Sequence, residues 1–186
     1  MINLPIEWII PANGTYAKLV DNLIMLLELP HTAGCLACGP ANARGLRLRL
    51  FVDPETGIVQ TQFTTAIEHI GFEGVTHGGV IATVLDEVMV WAATWGIKRF
   101  CLCGEMSVRF RRRAEVDRAL TFTARVESVR SKLIATTGDV ADDSGRILAT
   151  ATGKYVPLPQ EANHQYLQTL LDDPGTREAA SLLRAG

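Results

Sequence analysis

The stretch 80–95 most constrains what this chain can fold into. It carries Val80, Ile81, Ala82, Val84, Leu85, Val88, Met89, Val90, Trp91, Ala92, Ala93 and Trp95, and its only polar residues are Thr83, Asp86, Glu87 and Thr94. Gly96 follows as a C-terminal stop. A helix that is apolar nearly all round must be covered on most of its sides. The rest of the chain therefore has to supply a wrapping layer. Two carboxylates on such a helix are costly to bury alone. Asp86 and Glu87 either face a pocket or a subunit boundary, or they pair with arginines.

The wrapping layer is legible on both sides of the helix. Leu46, Leu48 and Leu50 alternate with Arg47 and Arg49, the period of a half-buried strand. Asp53-Pro54-Glu55-Thr56-Gly57 is a turn, and 58–65 is the returning strand. A Gly-rich loop covers 71–79. After the helix come strands over 103–112, 120–129, 133–140 and 147–156, the last two joined at Asp142-Asp143-Ser144-Gly145. Upstream, 15–29 reads as an amphipathic helix with Leu19, Leu23, Leu26 and Leu27 on one side, stopped by Pro30, and 31–45 as a loop. The tail reads as helical with a break at Asp173-Pro174-Gly175. The expected organisation is an N-terminal extension over 1–45, a body over 46–156 and a helical tail over 157–186. The expected class is α+β, an antiparallel sheet wrapped on one helix.

At 186 residues the chain is sized for one domain. Lys+Arg 18 against Asp+Glu 20 leaves a charge of -2, which argues against a nucleic-acid partner. The apolar run 23–29 is broken by Glu28 and ended by Pro30, so no membrane span is expected there. No Lys or Arg precedes Lys18 and no apolar run follows Met1 closely, which points to a cytoplasmic protein without a secretory signal. Cys35, Cys38, Cys101 and Cys103 are then expected as reduced thiols. Cys101-x-Cys103 lacks the spacing of a second zinc half-site, so neither a metal nor another cofactor is expected. The βαβ setting of a redox Cys-x-x-Cys is absent as well.

Gly74-Val75-Thr76-His77-Gly78-Gly79 runs straight into the helix start. Glycines there admit close approach to the backbone, and the unpaired first-turn N–H groups and the helix dipole favour negative charge. An oxyanion developing on a thioester carbonyl is one such charge. The segment 77–87, HGGVIATVLDE, resembles the signature of hotdog-fold acyl-CoA thioesterases, the phenylacetate-pathway type of the 4-hydroxybenzoyl-CoA thioesterase superfamily. Residues 35–46, CLACGPANARGL, are similar to a CxxCGxxNxxGL segment preceding the first strand in that family. Ser107-Val108-Arg109-Phe110-Arg111-Arg112 is similar to its strand after the helix. The resemblance covers about 35–156, with Cys103 where several relatives carry Thr and Arg113 near their usual Pro.

That resemblance implies a hotdog fold and hydrolysis of acyl-CoA thioesters. Asp86 would act as general base on water, or as nucleophile through an acyl-enzyme anhydride. The backbone N–H of Gly79 would polarise the thioester carbonyl within the turn that Gly78 completes, and His77 would hold the loop or share in the polarisation. Glu87 is the alternative carboxylate, or an orienting one. Arg109 and Arg111, with Arg113, alternate onto one strand face opposite Arg112, where they either meet CoA phosphates or form a solvated face. Cys103 is a further substrate-side candidate. Trp91, Trp95, Met89 and Phe72 either wall the acyl pocket or pack the core. Seven residues separate Gly79 from Asp86, about 10.5 Å of helix rise, too far to act on one carbonyl. An antiparallel neighbouring helix would supply the missing partner, so a homodimer or a dimer of dimers is expected. A hotdog hydratase or dehydratase and a non-catalytic acyl-CoA binder are the other readings.

Overall fold

The computed structural model describes residues 26–171 and 173–186. One long helix, α1 (Gly78–Ile97), lies across an antiparallel sheet. Ahead of it come β1 (Leu27–Glu28), β2 (Phe51–Val52), β3 (Val59–Thr64) and a small hairpin of β4 (Ile70–Phe72) and β5 (Val75–Thr76). After it come β6 (Cys101–Phe110), β7 (Ala119–Arg130), β8 (Leu133–Asp142) and β9 (Ile147–Pro157), then α2 (Gln160–Gln168) and α3 (Arg177–Arg184). The seven-stranded sheet has the order β1-β2-β3-β7-β8-β9-β6, and every adjacent pair is antiparallel. This is the α+β hotdog fold.

The period-two pattern of the long strands sets which face meets the helix. Along β8, burial alternates strictly, with Ile134 and Val140 inward. Leu120, Phe122 and Ala124 from β7 and Ala149, Ala151 and Tyr155 from β9 join them beneath α1. From the helix side, Val84, Leu85, Val88, Met89, Ala92 and Ala93 are fully excluded from solvent. Each large side chain so buried contributes about 1.5–3 kcal/mol. Contact is close enough that glycine is required beneath Met89. A Cβ on Gly153 would lie 2.7 Å from Met89 Cε and 2.6 Å from the Tyr155 ring.

By length and composition α1 itself could cross a bilayer, with a mean hydropathy of 1.5. Its ten buried residues are instead packed in the protein core. The helix also runs further than the sequence suggests. It begins at Gly78 rather than Val80, and it passes through Gly96 to a left-handed cap at Lys98, φ 54°. Gly96 serves packing, since a Cβ there would meet Val126 at 3.0 Å.

Three further expectations are corrected. Most of the helix expected over 15–29 lies outside the described residues, but its last part is extended, with Leu27 and Glu28 forming β1. Leu46–Leu50 keeps its burial alternation without being a strand. Arg47 has φ 52°, and the N–H groups of Leu46 and Leu48 bond to Leu36 and Ala37 in the cysteine loop. The Gly-rich 71–79 segment contains the β4–β5 hairpin. At the outer edge, Arg49 makes a bidentate pair with buried Glu28 at 2.6 and 2.7 Å, and α3 packs its Ala179 and Leu183 into the same core. Gly153→Ala should destabilise the fold by about 1–3 kcal/mol in chemical denaturation, because both Met89 and Tyr155 must shift.

Candidate active site at the uncovered face of α1

His77 is the N-cap of α1 in extended backbone conformation, φ -61° and ψ 131°. Its Nδ1 accepts the Gly79 N–H at 2.9 Å, and its carbonyl accepts from Val80 at 3.0 Å. The Gly79 donor expected to polarise a carbonyl is therefore engaged by the neighbouring imidazole. Among the described residues the Gly78 N–H has no hydrogen-bond partner. Gly78 lies under the Phe110 ring, where a Cβ would be 3.2 Å from Cζ. A surface groove opens here, lined by Phe72, His77, Gly78, Phe110 and Arg111–Arg113.

The arginines do not follow the expected alternation. β6 ends at Phe110, and the N–H groups of Arg111 and Arg112 both bond to the Leu148 carbonyl, which breaks the strand period. Arg109, Arg111, Arg112 and Arg113 are all exposed. Arg112 donates to the Ile147 carbonyl at 2.7 Å, and Arg113 reaches Glu115 at 3.5 Å. Met89, Trp91 and Trp95 are core residues, whereas Phe72 is 83% exposed at the groove.

Two turns into the helix, Asp86 is half-buried, and its Oδ1 accepts the Tyr155 hydroxyl at 2.8 Å. Tyr155 comes from β9, directly opposite Cys103 on β6. Burial, then the negative charge of Asp86, pushes the Tyr155 hydroxyl far above its ordinary range, so it stays a proton donor. Burial and Asp86 likewise raise the Cys103 thiol. Asp86, Tyr155 and Cys103 thus form one cluster, and Tyr155 is the member missed from sequence. Inward alternation along β9 was its only available signal.

Glu87 faces away from that cluster. Its Oε1 accepts the Trp91 Nε1–H at 3.1 Å, and it stands beside the thiols of Cys35 and Cys38. Burial, then the Cys35 charge, lifts its carboxyl to about 7. The Cys35 thiol is held down to about 5, first by a hydrogen bond from the Cys38 thiol and then by N–H groups of Cys38, Ala37 and Gly39. Asp86 and Glu87 therefore occupy separate environments, one open to ligand and one under the cysteine loop.

A family model described as the thioesterase superfamily matches residues 73–149. No curated protein sequence matches the chain. Among solved structures, a crystallised thioesterase superfamily protein is 26% identical, with a TM-score of 0.62 over 75% of this chain and 69% of that one. A putative thioesterase of Ralstonia eutropha JMP134, a phenylacetic acid degradation-related protein, is 25% identical with a TM-score of 0.56, over 63% of this chain and 89% of that one. The Escherichia coli PaaI protein, from the phenylacetic acid degradation operon, is 17% identical with a TM-score of 0.58, over 64% and 85%. The chain thus has the hotdog fold, and its residues 73–149 are similar to the thioesterase superfamily.

The Glu87 environment gives a signed expectation. Between about pH 4.5 and 7 Glu87 keeps a proton in the folded state that the unfolded state has released, so its own contribution to stability falls as pH rises, while the lowered Cys35 thiol contributes in the opposite sense above about pH 5. In reduced protein with chelator present, the loss should approach about 3 kcal/mol at most. Glu87→Gln should flatten this slope in denaturation curves taken at stepped pH.

Proposed function

We propose that the protein hydrolyses acyl-CoA thioesters, with Asp86 as the working carboxylate. The observation that carries this reading is the Tyr155–Asp86 hydrogen bond at 2.8 Å, which pins one carboxylate oxygen on the uncovered side of a helix entered by His77-Gly78-Gly79. Tyr155 donates its only hydroxyl proton to Oδ1, which fixes the carboxylate orientation. The second oxygen, with the Cys103 thiol beside the carboxylate, is not held by Tyr155. It is the one available to take a proton from water or to attack the thioester carbon.

The other half of the reaction belongs at the helix start. The Gly78 N–H and, once His77 Nδ1 yields it, the Gly79 N–H are the donors for the carbonyl oxygen as it becomes an oxyanion. The exposed Arg111 and its neighbours line the groove that leaves this point, and guanidinium groups suit the phosphates of CoA. Asp86 lies about 10.5 Å along the same helix, so each site takes Asp86 from one chain and Gly78–Gly79 from another. Two features support a homodimer or a dimer of such dimers. The partly exposed residues Gly79, Ala82, Thr83, Asp86 and Val90 form one uncovered stripe of α1. In addition, β6 is a ten-residue edge strand showing Leu102 and Phe110 to solvent.

A thiol-release assay across aliphatic and aryl acyl-CoAs tests the reading, with light scattering for the oligomer. Asp86→Asn should lower kcat at least about 100-fold while the oligomer stays intact. Full activity in that variant would sink the assignment. Tyr155→Phe should lower kcat about 10-fold, the worth of one hydrogen bond to a charged group.

A further inference from the structure

The cysteine loop and Glu87 form a cluster for which thioester hydrolysis has no use. Cys35 Sγ, Cys38 Sγ and a Glu87 carboxylate oxygen all lie within 4.8 Å of one another. Cys38 is only 5% exposed. No lysine, arginine or histidine makes a salt bridge with Glu87 among the described residues. Three groups that are anionic when deprotonated thus converge without a compensating cation, an arrangement that costs free energy unless a cation joins it or protons stay on.

The loop is shaped around the first thiol. The Cys38 N–H points to Cys35 Sγ at 3.4 Å, so the turn directs backbone dipoles at that sulfur. Gly39 permits the turn, since a Cβ there would run into the Cys35 backbone. Backbone bonds from Leu46 to Leu36 and from Leu48 to Ala37, both 2.8 Å, hold the loop against the body. On the helix side the Trp91 Nε1–H donates to Glu87 Oε1, the outer hydrogen bond that orients a ligating carboxylate, and the Cys38 thiol bonds to the same carboxyl group.

We infer that Cys35, Cys38 and Glu87 bind one thiophilic divalent cation, zinc by preference, with a water molecule in the fourth position. Two thiolates and a carboxylate are ordinary zinc ligands, and a tetrahedral ion spaces its ligand atoms by roughly 3.5–4 Å, so the cluster needs only a small contraction. The ion neutralises Glu87 and fastens the 35–38 loop to α1 one residue from Asp86. Binding releases the Cys38 proton, and any proton on Cys35 or Glu87, to solvent. Spacing along the chain hides the site because Glu87 lies on another element.

The test uses the full chain, reduced with a phosphine, stripped with chelator and titrated with Zn2+ against a chromophoric competitor, with Co2+ as the spectroscopic probe. One ion per chain is expected, with a thiolate-to-cobalt charge-transfer band and protection of Cys35 and Cys38, but not Cys103, from alkylation by mass mapping. Cys35→Ser and Cys38→Ser should weaken binding by about 100-fold or more. Glu87→Gln, which keeps both sulfurs, should weaken it at least about 10-fold. Circular dichroism identifies a variant that fails to fold, and the Co2+ band of the unaltered chain stands independently of all three. Absence of that band, unchanged affinity in Glu87→Gln, or a Cys35–Cys38 disulfide persisting under reductant would overturn the site.

Discussion

Everything in this molecule depends on covering a helix that has almost no polar face of its own. Val84, Leu85, Val88, Met89, Ala92 and Ala93, all fully excluded from solvent, occupy about half of the circumference of α1, and the sheet has to cover that half. A strongly twisted antiparallel sheet curling around it is the economical answer. Burial alternates strictly along β8, over 119–124 of β7 and over 149–156 of β9, so that one face of these strands is reserved for α1. The glycines under Met89 mark where helix and sheet come too close for any side chain.

The same constraint explains the chemistry. A carboxylate on such a helix must find a polar neighbour or a partner chain, and the two adjacent ones resolve this differently. Asp86 points toward the β9–β6 edge, where Tyr155 offers a hydroxyl from a fully buried ring. Glu87, turned about 100° away, meets Trp91 and the cysteine loop. One carboxylate stays open to a ligand and the other is covered. Single-residue spacing on a helix is enough to divide the roles.

The part of the fold carried by local pattern was legible from sequence. The long strands after α1 were visible as period-two runs, and the turn at 142–145 marked β8 and β9 as neighbours, whereas β6 lies beside β9 at the sheet edge rather than beside β7, which follows it in sequence. Less was legible where tertiary contacts override local preference. The alternation over 46–50 is genuine in burial, yet the backbone there pairs with the cysteine loop rather than with a strand. The arginine run after Phe110 lost its alternation to a double hydrogen bond on Leu148. Gly96 read as a stop because a glycine after an apolar run usually is one, whereas here it makes room for Val126.

By itself, the sequence determined that a nearly all-apolar helix had to be wrapped, that His77-Gly78-Gly79 sat at its positive end, and that carboxylates stood on it at Asp86 and Glu87. Periodicity and composition are local properties, so a single chain read in order suffices for them. Only the tertiary structure decided what those carboxylates touch. Tyr155 is 69 residues from Asp86 along the chain, and Cys35 and Cys38 precede Glu87 by some fifty residues. Their meeting follows from sheet register and from a loop folded back over the helix, and no spacing along the chain encodes either.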